Sequence, residues 1–123
     1  MKVISTEEAP SAIGPYSQAI VANGFVYTSG QIPLNPKTQA IEVTSIDGQT
    51  EQVINNLGAI LKEAGTDFSK VIKTTCFLAH ISDFAVFNAI YEKYFISKPA
   101  RSCFEVGALP KGALVEIEAV AVI

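Results

Sequence analysis

The spacing of hydrophobic residues along the chain alternates between the period of a strand and the period of a helix. Runs rich in β-branched and aromatic residues predict strands over residues 15–21, 25–29, 71–78, 101–106 and 114–123. Asn23-Gly24 lies between the first two and favours a type I′ hairpin turn, because both positions tolerate positive φ. A weaker strand is predicted over residues 41–43. Residues 1–13 are predicted to form an irregular or short extended arm.

Two segments have the spacing of an amphipathic helix. In the first, apolar residues recur at helical steps from Ser45 to Ala64, and Gly65 follows as a C-terminal stop. The second is predicted to begin at Ser82 as its N-cap. It carries aromatic residues at three- and four-residue steps: Phe84, Phe87, Tyr91, Tyr94 and Phe95. Such a stripe is more often core than a binding feature, so we predict that it packs on the sheet.

The predicted order is β-β-(β)-α-β-α-β-β, which favours a single α+β domain over residues 1–123. Both helices can pack on one face of a mixed sheet. The other face of the sheet then needs cover, which an oligomer could provide.

Composition strengthens the expectation of an oligomer. Apolar residues make up 49% of the chain and charged residues 17%, below the roughly 25% charged residues of typical soluble domains. Mean hydropathy is +0.32. No apolar run approaches the roughly 18 residues of a membrane-spanning helix, so we expect a buried subunit interface and no membrane contact. The first residues have no apolar signal-peptide core and soon turn acidic, and we expect a cytoplasmic protein.

Charge and residue counts argue against nucleic acid and metal as partners. The net charge is −3 and the pI about 5.0, which leaves no basic footprint for a phosphate backbone. Cys76 and Cys103 lack paired spacing and are expected to stay reduced. His80 is the only histidine, so no Cys/His metal cluster is expected. It also lies at a strand exit with no nucleophile motif nearby.

The first candidate for chemistry is Arg101, which begins an otherwise apolar strand. Alternation places Arg101, Cys103 and Glu105 on one side of that strand. Arginine is seldom buried without a partner, and its rigid fork suits a carboxylate or a phosphate. The alternative is an exposed arginine on an edge strand.

The second candidate is the acidic pair of the last strand, where Glu116 and Glu118 share a face with Val120 and Val122. A carboxyl group in apolar surroundings can have a raised pKa that suits general acid/base catalysis. The alternative is a structural ion pair, with Lys73 or Arg101 as the partner cation.

Weaker signals surround these two. A glycine and a proline precede Tyr16 and could aim its phenol. Ser29 offers a hydroxyl, and Gly30 a sterically open backbone N–H. Asn88 lies among the aromatic residues of the second helix, where an amide either makes a local contact or reaches a site. Nothing near Cys103 would lower its pKa, so we interpret it as a packing residue whose backbone could serve a site.

Five motifs together resemble the Rid family, the reactive intermediate deaminases formerly called the YjgF type, and its RidA branch in particular. They follow the family's order from near residue 5 to the end: IGPYSQA at 13–19, TSGQIP at 28–33, QTEQV at 49–53 with Asn56-Leu57, PARSC at 99–103, and VEIEA at 115–119. The combination is far more specific than any single motif.

The resemblance implies a chorismate-mutase-like α+β fold and a homotrimer whose sheets form a central barrel, with active sites in the three clefts between subunits. It implies hydrolysis of reactive enamine and 2-imino acids, such as 2-aminoacrylate and 2-iminobutanoate, to 2-keto acids and ammonia. Pyridoxal-phosphate dehydratases acting on serine or threonine release these compounds as enamines. No cofactor is needed. The implied partner is thus a small anionic substrate.

The same resemblance implies roles for single residues. Arg101 would hold the substrate carboxylate, and Glu116 would deprotonate the attacking water and later help protonate the leaving nitrogen. The pocket would be lined by Tyr16, Ser29, Gly30 and Asn88, with the Cys103 backbone fixing substrate or water. Residues 96–98 form a shorter connection than is usual in the family, with Lys98 where an aromatic residue is common, so the pocket rim is expected to differ.

Two other functions stay open at this point. A non-catalytic trimer could bind small carboxylates or a protein partner through the same arginine. An RNA-cleaving activity fits poorly with a pI of about 5.0 and no basic patch.

Overall fold

A six-stranded mixed sheet carries two helices on one face. The computed structural model describes residues Met1–Ile123. The strands are β1 Lys2–Ile4, β2 Ala19–Ala22, β3 Phe25–Thr28, β4 Leu34–Asn35, β5 Ala40–Ile41, β6 Val71–Leu78, β7 Ala100–Glu105 and β8 Val115–Val122, and the helices are α1 Ile46–Glu63 and α2 Phe84–Tyr94. The sheet order is β1-β2-β3-β8-β6-β7, with β4 and β5 forming a separate small hairpin. Strands β6 and β7 pair in parallel, and the other pairs are antiparallel. The predicted α+β domain with a mixed sheet is therefore confirmed.

Helix α1 forms where the periodicity places it. The Ser45 hydroxyl accepts a hydrogen bond from the Gly48 N–H at 3.3 Å and caps the first turn. Gly65 follows the helix with φ 84°, a conformation that glycine adopts without steric cost. The buried stripe of α1 includes Val53, Ile54, Leu57, Ile60 and Leu61.

The core lies between the helices and one face of the sheet. On the central strand β8, Val115, Ile117, Ala119 and Ala121 point into this core and are buried. The alternate residues of β8 therefore lie on the opposite face, and they are the predicted set Glu116, Glu118, Val120 and Val122.

Two boundary predictions were wrong. The strand expected from residue 15 begins at Ala19, because the chain first makes a turn in which Gly14 has φ 130° and the Tyr16 N–H donates to the Gly14 carbonyl at 2.9 Å. Ser82 does not cap α2, since it lies inside a short 3₁₀ turn and the cap position falls on Asp83, which makes no side-chain cap bond.

Two weaker predictions were partly right. The N-terminal arm contains a true strand, because β1 pairs with β2. The strand expected over 41–43 is the two-residue β5, which pairs only with β4.

No element of the chain covers the second face of the sheet, which we call the open face. Large apolar side chains stand on it half exposed, among them Tyr27 of β3 and Phe104 of β7. An uncovered apolar face of this kind is what the composition led us to expect. The chain has no helix with the length and apolar character needed to cross a membrane.

Candidate active site

The first of two candidate clefts opens where the loop after β3 passes β8. It has a volume of about 490 Å³. Four of the predicted site residues line it together: Tyr16, Ser29, Gly30 and Glu116. The sequence motifs that contain them lie far apart in the chain, and the fold brings them to one place.

Gly30 makes room for the Glu116 carboxylate. A Cβ atom built on Gly30 would overlap the Glu116 Oε2 and would stand 2.9 Å from its Cδ. Any larger residue at position 30 would therefore displace the carboxylate. The need for glycine here comes from close approach and not from an unusual φ.

The loop that carries these residues is held by hydrogen bonds at both ends. The Ser29 hydroxyl donates to the Ser17 carbonyl at 2.6 Å, which joins it to the loop that carries Tyr16. Gln31 and Ile117 exchange backbone N–H···O bonds of 2.8 and 3.1 Å, which fix the loop against β8 next to Glu116. The position of the carboxylate relative to the loop is thus set by backbone pairing.

The surroundings of Glu116 raise the pKa of its carboxyl group. Burial is the main cause that raises the pKa of its carboxyl group above the ordinary value, and the neighbouring Glu118 raises it further. The two cations that could have formed an ion pair with Glu116 make other contacts. Lys73 donates to the Ser102 hydroxyl at 3.5 Å, and Arg101 donates to Asn88. The structure therefore does not support a structural ion pair at Glu116.

The second cleft lies between α2 and the start of β7 and has a volume of about 680 Å³. Arg101 and Asn88 line it, and Lys98 stands in the same cleft. Arg101 Nη1 donates to Asn88 Oδ1 at 2.7 Å. Although β7 is an edge strand, the Arg101 side chain is half-buried, so it is not the idle surface arginine of the alternative interpretation.

Within one chain Arg101 and Glu116 lie on opposite faces of the sheet. Arg101 is the register partner of Thr74 and shares its helix-side face, whereas Glu116 is the partner of Phe77 on the open face. The predicted site residues therefore form two separate halves, one around each charged group.

Cys103 belongs to neither cleft lining. No disulfide joins Cys76 and Cys103, and both are free thiols in the structure. Burial is the larger effect on the Cys103 thiol and raises its pKa, although Arg101 lowers it, contrary to the expectation that nothing nearby would. Burial also raises the pKa of Cys76 to about 12, so neither thiol is activated as a nucleophile. No group of three His, Cys, Asp or Glu side chains is placed to hold a metal ion.

Sequence reasoning assigned no role to two buried polar residues that shape the first cleft. Asn56 Nδ2 donates to the carbonyls of Ile32 and Leu34 at 3.2 and 2.9 Å, which ties the cleft loop to α1. Gln18 exchanges hydrogen bonds with Thr6 and anchors the N-terminal arm. The available signal was a polar residue on the apolar face of a helix, as at Asn56, since such a side chain needs a partner.

Comparison with known proteins shows that the chain matches one family model and is similar to several named proteins. The family model described as endoribonuclease L-PSP matches residues 6–123. AldR of Lactococcus lactis, which carries a provisional name as a regulator, is 58% identical over 122 residues, 98% of this chain and 97% of that protein. The human 2-iminobutanoate/2-iminopropanoate deaminase is 49% identical over 122 residues, 98% of this chain and 89% of that protein.

A solved structure agrees with this fold over its whole length. The crystal structure of Escherichia coli TdcF with bound serine superposes with a TM-score of 0.95 at 40% identity, covering 100% of this chain and 99% of that one. The ligand in that structure is a small amino acid.

Proposed function

The chain belongs to the endoribonuclease L-PSP family, which is the YjgF or Rid family, and from this premise we propose that it hydrolyses 2-imino acids to 2-keto acids and ammonia. The substrates would be small, of the type of 2-iminobutanoate and of the imine form of 2-aminoacrylate. Relatives that are named for this activity, such as the human deaminase, are about 49% identical to the chain.

The observation that carries the proposal is the environment of Glu116. Its half-buried carboxylate lies directly over the Gly30 backbone in a cleft, with a raised pKa and no cation among the causes of that shift. A carboxylate kept in this way is suited to accept a proton from water.

The chemistry follows from the two charged groups. Arg101 would bind the substrate carboxylate through charge-assisted hydrogen bonds. Glu116 would take a proton from water as the water oxygen bonds to the carbon of the protonated imine, giving a neutral tetrahedral amino alcohol. The protonated carboxyl group of Glu116 then gives this proton to the nitrogen. As the C–N bond breaks and ammonia leaves, the hydroxyl group returns a proton to the Glu116 carboxylate and its oxygen becomes the carbonyl of the keto acid.

A complete site would require more than one copy of the chain, because Arg101 and Glu116 lie on opposite faces of one sheet. We propose a homotrimer in which the open faces form a central barrel and each site joins the Arg101 half of one subunit to the Glu116 half of its neighbour. The half-exposed apolar side chains of the open face support this arrangement.

The test is a coupled assay in which a threonine dehydratase generates 2-iminobutanoate in the presence of the protein. We expect faster release of 2-oxobutanoate than from the free imine. Arg101→Ala and Glu116→Gln should each lower the rate by about 100-fold or more. A rate equal to spontaneous hydrolysis, or an Arg101→Ala variant as fast as the wild type, would contradict the proposal.

A second candidate is a non-catalytic carboxylate-binding regulator, which the name of AldR and the separately built Arg101 cleft favour. It predicts that 2-oxobutanoate binds to the wild type, that binding is lost in Arg101→Ala, and that no turnover occurs. The RNA cleavage named in the family description is disfavoured by the net charge of −3. If the chain cleaved RNA, we would expect it to bind RNA with an affinity that falls as the salt concentration rises.

A further inference from the structure

One face of helix α2 holds the guanidinium of Arg101. Phe84, Asn88 and Tyr91 are spaced as i, i+4 and i+7 and lie on the same side of the helix. We propose that these three residues form a seat for Arg101 and that Tyr91 is its main positioning residue. The inference rests on the proposed function, because it assigns a purpose to the orientation of the carboxylate-binding group.

The contacts of the seat restrain the guanidinium in two ways. Asn88 Oδ1 accepts from Arg101 Nη1 at 2.7 Å, which fixes the rotation of the planar group. The guanidinium carbon lies 4.8 Å from the centre of the Tyr91 ring and 5.5 Å from that of Phe84, within the range of cation–π contact. A hydrogen bond and two aromatic rings thus act on one side chain.

Tyr91 is itself held rigidly. Its hydroxyl shares a hydrogen bond of 2.7 Å with the Thr74 hydroxyl, and Thr74 is the register partner of Arg101 in the next strand. The Tyr91 ring also stacks on Phe95, with centroids 4.1 Å apart and an interplanar angle of 18°. Burial raises the pKa of Tyr91 to about 12, so the phenol stays neutral and acts through its ring and its hydrogen bond.

The seat leaves a defined part of Arg101 for a ligand. A guanidinium has five N–H donors, of which Asn88 occupies one. Both rings lie within cation–π range of the group. Its other four N–H donors make no hydrogen bond within the chain, so they can make a two-point contact with a carboxylate. Because the long side chain is already ordered, less rotamer entropy is lost when the ligand binds.

The stripe of aromatic residues on α2 therefore has two uses. Phe87 is fully buried, as expected for core. Phe84 and Tyr91 lie on the same helix, and in addition they contact the Arg101 guanidinium in the second cleft. The prediction that the stripe is core is confirmed, since Phe87, Tyr91 and Phe95 are in the core and Phe84 and Tyr94 pack against it; the contacts with Arg101 are additional.

The experiment measures the Kd of 2-oxobutanoate by calorimetry. It also measures the order parameter of the Arg101 Nε–H bond by ¹⁵N relaxation. Tyr91→Leu removes the ring, and we expect the Kd to rise about tenfold and the Arg101 order parameter to fall. Tyr91→Phe keeps the ring, and its Kd should stay within about twofold of the wild type. Tyr94→Leu on the same helix removes a ring that does not contact Arg101 and should change neither quantity.

Kinetics add a readout that a general loss of stability would not give. Tyr91→Leu should raise KM more than it lowers kcat, whereas Glu116→Gln should lower kcat. The proposal is overturned if Arg101 stays equally ordered in Tyr91→Leu, or if Tyr91→Phe is as damaging as Tyr91→Leu.

The two proposals fail in different ways. If the wild type binds no keto acid and turns over no imine, the proposed function is wrong. The Arg101 order parameter still tests the seat in that case, because it is measured without a ligand. If Tyr91→Leu does not fold, Phe84→Leu replaces it, with a smaller loss of Arg101 order expected from its longer contact of 5.5 Å.

Discussion

The proposed chemistry of the first cleft depends on one close approach between Glu116 and Gly30. The carboxylate is half-buried and its pKa is raised, and it can occupy this place only because position 30 has no side chain. The TSGQIP and VEIEA motifs thus describe two sides of one contact, although they lie in different parts of the sequence.

Gly30→Ala should separate activity from folding. The added methyl group meets the end of a flexible side chain, so the Glu116 carboxylate should move while the backbone stays in place. We expect the deaminase rate to fall by about tenfold or more, with a melting temperature close to that of the wild type. Gly107→Ala is the control, because a Cβ there meets nothing within 4 Å. Full activity in Gly30→Ala would refute the contact as a requirement.

The raised pKa of Glu116 predicts the pH dependence of the reaction. A general base must be ionised, so the rate should be full above the pKa of Glu116 and be lost as the pH falls through it. Burial places that pKa above the ordinary 4.5. The measurement is kcat/KM against pH, which reports the pKa of the free protein, corrected for spontaneous hydrolysis.

Glu118→Gln provides the matched control for this profile. Glu118 is exposed and raises the pKa of Glu116 by charge repulsion, so its neutralisation should move the acidic limb to lower pH. A limb that moves to higher pH in this variant would count against Glu116 as the titrating group.

At the scale of elements, segments with strong periodicity were predicted correctly, whereas the local geometry of turns was not. The spacing of apolar residues was sufficient for α1, and the dense β-branched run for β6, whose observed bounds are the predicted ones. Residues 15–18 read as a strand because their composition fits one, but the turn at Gly14 delays pairing until Ala19. Such turns depend on positive φ and on distant hydrogen bonds, which a residue pattern does not contain.

The separation of the two half-sites could not be predicted from the strands taken singly. Alternation shows which residues of one strand share a face, and it grouped Arg101 with Cys103 and Glu116 with Glu118 correctly. Which of these groups faces the helices depends on register, and the register between β6 and β8 shifts between Val71 and Lys73. The identities of the charged residues came from the motifs, but their faces came only from the structure.

Asn56 links two elements and should be important for stability. Its amide donates to two carbonyls of the loop that lines the first cleft, and its side chain is 1% exposed. Asn56→Ala leaves those carbonyls without their partner, so we expect a loss of about 1–3 kcal/mol in the free energy of unfolding. The exposed neighbour Asn55→Ala should change it by less than about 0.5 kcal/mol. Equal stability of the two variants in urea unfolding would disprove the role of this link.

At the scale of the whole molecule, composition and structure point in the same direction. A chain with 17% charged residues leaves one apolar sheet face uncovered, and the residues with candidate chemistry stand on both sides of that sheet. An assembly that covers the open face and brings Glu116 of one copy to Arg101 of another would account for both facts. This is the central claim of the proposed mechanism, which implies that the isolated chain does not contain the complete site.

Mixing of inactive subunits tests this claim most directly. Arg101→Ala and Glu116→Gln proteins are each inactive by prediction, but a mixed trimer would contain interfaces in which both native groups are present. After the two proteins are unfolded together in equal amounts and refolded, we predict about a quarter of the wild-type deaminase activity. Each variant refolded alone should stay inactive. A mixture no more active than its separate components would contradict a site shared between subunits.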